Sequence, residues 1–536
     1  MSFFVKCYTK RFIFGSIAAT GFVYFGKNNT FAQQEDIKSI THANLETNHH
    51  FYTRDEVREY DGVDGKPMFV TFRGGVYDVS KFAKAHPGGD FIKQAAGGDV
   101  EPFWQKWAYH YHSNKVNEVL KEIRVGSLID DKEVVKTNDV KNYGPENLYK
   151  NDPKRTKEHR VLTEKPFCSE TKPEALQKSY LTPNSALYIR NHAPVPYDLD
   201  FDTHELFFCR EMEDDDEEEI VATISIKDML KKHKQINITS VLQCAGNRAS
   251  EDIKATGKTG FVGTPFENIQ NGEVGNISWT GISLKDVLKE IFPNECEEED
   301  NDVVKWHVIF EGADEYESST PLSHILQAKT DCILATKMNG AILPRDHGYP
   351  VRVLLPGIAG ARNVKWLQSI KLSKSPSRSP WNSHYYRKND GSHIQKIPLN
   401  SLILSPMKGD APVLNEDGSI DIKGVAYSGG SGKEIHKVEV SIDGGKIWTD
   451  CRLLLEEIQK DDSSAFFGWV RFRTSIKVPT LINSSNQITL KAPITLVCRA
   501  MDKDGTVQPE TSKKERGYLY NGWHNVVVKS VTSAPN

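Results

Sequence analysis

The chain has 536 residues, 38% of them apolar and 26% charged, with a formal net charge of −4. That length exceeds what one hydrophobic core supports and points to about three or four domains. The near-neutral balance, with no sustained basic stripe, argues against a nucleic-acid binder. Eight cysteines lie far apart with no Cys-x-x-Cys pair, which argues against a zinc ribbon, a thioredoxin-type site or a disulfide scaffold.

Residues 1–27 carry Lys6, Lys10, Arg11 and Lys27 and no acid. Between Arg11 and Lys27 runs an uncharged, mostly apolar stretch, Phe12 to Gly26. A run of that length rises only about 22 Å as a helix, short for a membrane span. A basic segment followed by a short apolar run fits a targeting sequence. Two readings stand side by side: a bipartite mitochondrial presequence and a secretory signal peptide.

Thr53-Arg54-Asp55-Glu56 has the pattern of a capping box and predicts a short helix. Met68 to Phe72, Arg73-Gly74-Gly75 and Val76 to Val79 read as strand, tight turn, strand. Next comes Phe82-Ala-Lys-Ala-His86-Pro87-Gly88-Gly89. Proline biases His86 away from helix, and the two glycines let backbone pass close to a flat ligand. A turn imidazole can ligate iron, although a lone loop histidine is usually plain surface. With Ala95-Ala-Gly-Gly98 and a second histidine farther on, the stretch resembles cytochrome b5, a family that holds haem between two histidines. The resemblance assigns His86 as one iron ligand. For the other it favours His110 by counting forward from Phe103-Trp104, with His112 the alternative by counting back from Gly126.

From Asp130 to Arg160 the chain is polar, rich in Lys, Asp, Asn and Pro, and reads as a flexible tether. Beyond it, Thr239-Ser-Val-Leu-Gln-Cys244-Ala-Gly-Asn-Arg248 reads as an apolar strand ending at a cysteine, then a turn. A thiolate at a strand end beside an arginine suits a soft-metal ligand or a nucleophile; a buried structural cysteine is the common alternative. Tyr188 to Pro196, Pro344 to Arg352 and Gly360 to Trp366 present Arg, Lys, His and Asn on short Gly/Pro-punctuated segments. Such loops suit a phosphorylated cofactor and a small oxyanion. Eight of the nine residues from Glu211 to Glu219 are acidic, which reads as a solvated insertion.

Farther on, Val438, Val440 and Ile442 alternate with polar residues and run into Asp443-Gly-Gly445, a hairpin signal. Phe467 to Arg473 and Ile494 to Ala500 read as further strands. Short strands with frequent turns predict an immunoglobulin-like sandwich.

These segments together resemble the sulfite oxidase family of molybdopterin enzymes, from residue 48 to residue 536. The resemblance implies a multidomain α+β chain. Its parts are a presequence and spacer (1–47), a cytochrome b5-like α+β haem domain (48–128), a linker (129–160), a mixed α/β molybdopterin-binding domain (161–396) and an all-β dimerisation domain (397–536). It makes Cys244 the molybdenum ligand. Molybdopterin positions match Tyr188, Ile189, Arg190, Asn191, His192, Asp314, His347, Arg352, Asn363, Val364 and Lys365. Substrate-pocket positions match Arg190, Trp279, Tyr386 (with Tyr385 as its alternative) and Arg516. Animal members carry a second arginine after the Cys-Ala-Gly-Asn-Arg motif, where this chain has Ala249.

The activity implied is oxidation of sulfite to sulfate at a molybdenum–molybdopterin centre. Electrons pass singly through haem b to cytochrome c, with oxygen as the other acceptor. The expected partners are sulfite, cytochrome c and a second copy of the chain, with no nucleic acid, and with membrane contact only through the targeting segment. A cytochrome c acceptor favours the presequence reading and the mitochondrial intermembrane space. Two rivals differ in class. Eukaryotic nitrate reductase carries its haem after the dimerisation domain and continues into flavin and nicotinamide modules. A non-enzymatic haem carrier would not need Cys244, Arg190 and Tyr386 together.

Overall fold

The computed structural model describes residues 50–84, 86, 89–106, 114–129, 149–211, 218–256, 268–297, 306–459, 461–482, 488–513, 515 and 517–529. The targeting segment, His110, His112 and Arg516 lie outside these described residues. The chain divides into two compact units. One takes in the chain up to Asp99 with Ile123–Lys132 and Glu211–Glu219; the other takes in Val100–Glu122, Glu133–Arg210 and Ile220–Asn536.

In the smaller unit, local sequence rules decide the elements. Glu56 N donates to Thr53 Oγ1 at 3.1 Å and Thr53 N donates to Glu56 Oε2 at 2.7 Å, a reciprocal cap on the helix Arg54–Glu59. Strands Phe69–Phe72 and Gly75–Asp78 pair antiparallel across Arg73 and Gly74, both left-handed at φ 47° and 73°. A two-residue loop with both φ positive matches the twist of the strands it joins. Gly75–Asp78 pairs with Arg124–Leu128, which pairs in parallel with His50–Tyr52; Gly98–Asp99 closes the other edge. Val57, Phe69, Val76 and Leu128 form the core of this unit.

The larger unit carries the cysteine motif on its longest antiparallel ladder. Gln235–Gln243 pairs with Val274–Ser283 along nine residues, from Gln235 opposite Ile282 to Gln243 opposite Val274. Ile333–Met338 pairs on the far side of Val274–Ser283 and is itself joined by Ala341–Ile342 and Arg352–Leu354. A second sheet runs Glu218–Ser225, Glu205–Glu211, Leu367–Ser373, His307–Gly312, Glu317–Pro321. A third, small sheet joins His159–Glu164, Phe167–Thr171 and Ile189–Arg190. The helix Leu284–Ile291 shows why the packing holds: Ser283 Oγ accepts from Asp286 N at 3.3 Å, and Leu284, Val287 and Leu288 bury one helical stripe. At about 1.5–3 kcal/mol per fully buried aliphatic side chain, such stripes hold the unit together.

The tether reading needs one correction. Residues 149–160 are not free linker: Tyr149 and His159 are buried, Arg155 is paired with Asp346, and a strand begins at His159. Their polar composition looks like a solvated tether because the groups that neutralise it lie far away in sequence.

The C-terminal residues form the expected two-sheet sandwich. One sheet runs Asn400–Ser405, Ser419–Tyr427, Val470–Lys477, Arg452–Leu453; the other runs Thr449–Asp450, Ile435–Ser441, Ile494–Asp502, His524–Val528. Ile422, Val438, Val440, Phe472, Leu496 and Val526 from both sheets share one core. The hairpin signal at Asp443-Gly-Gly445 joins Ile435–Ser441 to Thr449–Asp450.

Candidate active site

Cys244 follows directly on the ladder's last paired residue, Gln243. Its N–H donates to Glu273 O at 3.0 Å, which fixes the backbone as it leaves the sheet. Gly246 N donates to Cys244 Sγ at 3.4 Å, and Arg248 takes a left-handed φ of 67° before the helix Ala249–Thr256 begins. The turn therefore presents the sulfur into a cleft. Cys244, Tyr188, Arg190, His192, Asp314, His347, Arg352, Asn363, Val364, Lys365 and Tyr386 all line that cleft. Segments scattered over two hundred residues of sequence are thus gathered at one place.

Cations form one side of the site. Arg352 Nη1 donates to His347 O at 3.0 Å and Nη2 to Asn363 O at 2.9 Å, so its guanidinium is aimed by backbone carbonyls. Lys365 Nζ donates to Asp346 O at 3.0 Å and also to Asn191 Oδ1. Arg190 Nη1 donates to Cys168 Sγ at 2.9 Å. On the aromatic side, His192 Nε2 lies 3.2 Å from Tyr386 Oη, and the His192 ring stacks on Tyr316 at 4.8 Å and 18°.

Burial sets the charges. It pushes the Cys244 thiol far above its usual range, reinforced by the Glu273 carboxylate and opposed by Arg190. Burial works against charge on Arg190 as well, but Cys168 and the Glu273 carboxyl beside it outweigh that and keep the guanidinium ionised. His347 is pushed down to about 3 by burial, with Lys365 and Arg352 adding to the effect, so its imidazole is neutral. Burial also lowers Lys365 and raises Asp314. Burial and Arg190 together depress His192. Strongly perturbed buried groups of this kind concentrate at functional sites.

Three of the sequence-predicted residues stand apart from the cleft wall. Ile189 packs in its strand, and Asn191 lies behind Lys365, its Nδ2 donating to Asp346 Oδ1 at 3.1 Å. Trp279 is fully buried in the ladder, with the Arg352 guanidinium 5.1 Å from its ring centroid. Its place in the substrate pocket is corrected accordingly: alternation along Val274–Ser283 turns it into the core beneath Arg352. Tyr386, not Tyr385, is the tyrosine that lines the cleft.

Other residues of the site went unread in the sequence. Tyr316 and Asp346 line the cleft. Cys168 and Glu273 flank Arg190 and Cys244. Both Glu273 carboxylate oxygens are buried without a hydrogen-bond partner among the described residues. Only Asp346 stood within a motif, the Pro344-Arg-Asp-His segment; the others are brought in by strand pairing that no local pattern announces.

These residues fit the expected molybdopterin. A buried thiol is a soft-metal donor, and Arg352, Lys365 and neutral His347 suit a phosphate and a polar ring. Gly360 lines the same cleft, and a Cβ there would come within 3.0 Å of Tyr188 Oη and 3.1 Å of Gln243 O, so its bareness keeps the cradle open. In the smaller unit, His86 is half-buried between the short helical turns Phe82–Lys84 and Gly89–Ala95, its ring 5.6 Å from that of Phe82. That placement fits a histidine that would hold a haem iron.

Comparison with known proteins agrees part by part. An oxidoreductase molybdopterin-binding domain matches residues 192–381, a Mo-co oxidoreductase dimerisation domain matches 391–531, and a cytochrome b5-like heme/steroid-binding domain matches 53–129. A mitochondrial sulfite oxidase of Homo sapiens is 34% identical over 501 residues, 89% of this chain and 84% of the human one. A sulfite oxidase of Arabidopsis thaliana is 31% identical over 408 residues, 71% of this chain and 96% of the plant one. Among solved structures, the sulfane dehydrogenase SoxCD of Paracoccus pantotrophus aligns with a TM-score of 0.52 at 23% identity, covering 76% of this chain and 96% of that one. That last likeness speaks for the fold alone.

Proposed function

This chain belongs to the sulfite oxidase family, and from that premise we propose that it oxidises sulfite to sulfate at a molybdenum–molybdopterin centre held in the cleft. The observation that carries the reading is the convergence of the Cys244 thiol with Arg190, Arg352, Lys365 and His347 on one cavity. When bound, the molybdenum centre supplies the two-electron oxidation of sulfur and the transfer of an oxygen that water replaces.

The chain's own residues do the rest. Cys244 would hold the metal as the thiolate, and its proton would leave to solvent on loading, since burial disfavours the bare thiolate. Lys365, Arg352 and Asn363 would hold the pterin and its phosphate, with His347 neutral at working pH. Arg190 presents a fixed positive charge to the sulfite dianion in a poorly solvated cleft, where the attraction is stronger than in water. Tyr386, kept protonated by burial, offers its hydroxyl to an anion oxygen and is oriented by His192. Water is the source of the transferred oxygen, and two protons leave for each sulfite consumed.

His86 would be one of the histidines that hold a b5-type haem, which would supply one-electron transfer from the cleft toward cytochrome c. His110 is the favoured second ligand and His112 its alternative. Two copies pair through the C-terminal sandwich, and Arg516 from that domain adds a positive charge to the substrate pocket. The enzyme works in the mitochondrial intermembrane space. The basic start, the apolar run Phe12 to Gly26 and the similarity to a mitochondrial human relative support that location.

The test is sulfite-dependent reduction of cytochrome c by the purified protein, with molybdenum, pterin and haem measured on the same sample. Sulfite turnover with one molybdenum per chain supports the reading; haem without molybdenum overturns it in favour of an electron carrier. In His86→Ala, cytochrome c reduction should be lost while sulfite-to-ferricyanide turnover persists. Equal loss of both, or of neither, would remove the haem from its relay role.

A further inference from the structure

The chain enters the catalytic domain through a charged circuit that reaches the cofactor cleft. Asp152 Oδ1 accepts from Val195 N at 3.0 Å, which ties the segment from Tyr149 to the loop that carries His192. Asp152 Oδ2 accepts from Arg155 Nη2 at 2.8 Å. The Arg155 fork then closes on Asp346, Nε to Oδ2 at 3.0 Å and Nη2 to Oδ1 at 2.8 Å, across 191 residues of sequence. Asp346 in turn accepts from Asn191 Nδ2 and, through its carbonyl, from Lys365 Nζ; the lysine also donates to Asn191 Oδ1. The side chains of Asp152, Arg155 and Asp346 are only 8%, 13% and 7% exposed, and Arg155 lies over the Phe167 ring at 4.3 Å. Solvent therefore screens the circuit little, and a planar fork leaves it little angular freedom.

We propose that Arg155 is a positioning residue for the molybdopterin side of the cleft, acting through Asp346 on Asn191 and Lys365, so that retention of the phosphorylated pterin depends on the docked segment 149–155. The inference rests on the functional reading above. Without the Arg155 fork the Asp346 carboxylate has a buried charge to neutralise, and Lys365 Nζ is the nearest cation in the circuit. The ammonium is drawn toward Asp346 and away from the cleft. Arg155 makes no contact with the cavity itself, which separates it from the residues that touch the cofactor.

The experiment compares full-length wild type, Arg155→Gln and Arg155→Lys. It measures the rate at which pterin is lost from purified protein below the unfolding transition, as fluorescence of released pterin per haem, with the transition followed in parallel. Pterin should leave R155Q about tenfold faster, the lower range for residues that orient a metal site's direct partners. R155K, which keeps the charge but not the fork, should fall between. Retention by R155Q equal to wild type, or pterin loss only in step with unfolding, overturns the inference. Should R155Q not yield folded protein, R155K carries the test, and retention equal to wild type overturns it. Wild-type protein with no pterin at all would instead defeat the functional reading on which this rests.

Discussion

Two arginines of the catalytic domain end in opposite states. Arg248 lies in the seam between the catalytic and C-terminal domains and uses its whole fork: Nε and Nη2 on Glu251 at 2.8 and 2.7 Å, Nη1 on Asn400 Oδ1 and Gly522 O at 2.8 Å each, and Nη2 on Trp523 O at 3.3 Å. Arg190, in the cleft, makes one hydrogen bond among the described residues, to a weakly accepting sulfur. A buried guanidinium with every donor engaged is finished; one with most donors idle waits for an anion. Cys244 and Arg248 share one motif, yet the turn between them sends the first to the cleft and the second to the seam. Ala249, at the position where animal members have another arginine, is itself fully buried. The cations that face the cleft come instead from Arg190, Arg352 and Lys365.

The sharpest way to break the comparison is to disable the cleft while leaving the seam whole. Cys244→Ser should keep the fold and lose sulfite oxidation by more than about a hundred-fold, because a hydroxyl is a poor soft-metal ligand and direct ligands outrank the residues behind them. Turnover near wild type in a protein of unchanged melting temperature would remove Cys244 from the site. The converse variant is Arg248→Met, which leaves Glu251 and three acceptors without their cation. It should cost about 3 kcal/mol of stability, read from denaturant unfolding, because the pair is largely buried. Its remaining folded molecules should keep wild-type KM for sulfite. A raised KM with unchanged stability would move Arg248 from the seam to the substrate.

What the sequence made legible follows the same division. Elements set by neighbours along the chain were readable: the Thr53 cap, the Arg73-Gly74 turn, the alternation of Val438 and Val440. So were site residues standing in a distinctive local motif, such as Cys244, Arg190, His347 and Lys365. Groups defined by distant pairing were not. Cys168 meets Arg190 only because Phe167–Thr171 and Ile189–Arg190 are neighbouring strands. Glu273 meets Cys244 only because the long ladder ends there. Trp279 looked like a pocket residue until the pleat turned it inward, and Arg155 looked like linker because its partner Asp346 is so distant in sequence.

Arg190 sharpens the comparison from the other side. Arg190→Gln removes the fixed charge but keeps a polar side chain of similar length, so KM for sulfite should rise about 10- to 100-fold. That range reflects the 1.5–3 kcal/mol of a hydrogen bond to a charged group, at 1.4 kcal/mol per tenfold. Steady-state kinetics at constant ionic strength is the measurement. An unchanged KM would mean that the charge is engaged by Cys168 and Glu273 and unavailable to substrate.

The smallest effect concerns acid and returns to the seam. His524 is buried, accepts through Nδ1 from Ile403 N at 3.0 Å, and faces Asn271 through Nε2. Burial pushes it down to about 4 from an ordinary value of 6.5, with Arg248 lowering it further and Glu251 opposing. The folded pKa is depressed, so the stabilisation is fully present above pH 6.5. As pH falls below that value the unfolded chain takes up a proton that the folded one refuses, and stability drops until about pH 4. At 1.36 kcal/mol per pH unit the loss reaches about 2 kcal/mol by pH 5. His524→Gln cannot titrate, so its melting temperature should fall less than wild type's between pH 7 and pH 5, even if its value at pH 7 is lower. Parallel declines in the two proteins would show that the seam's acid sensitivity lies elsewhere and that His524 is protonated in place without cost.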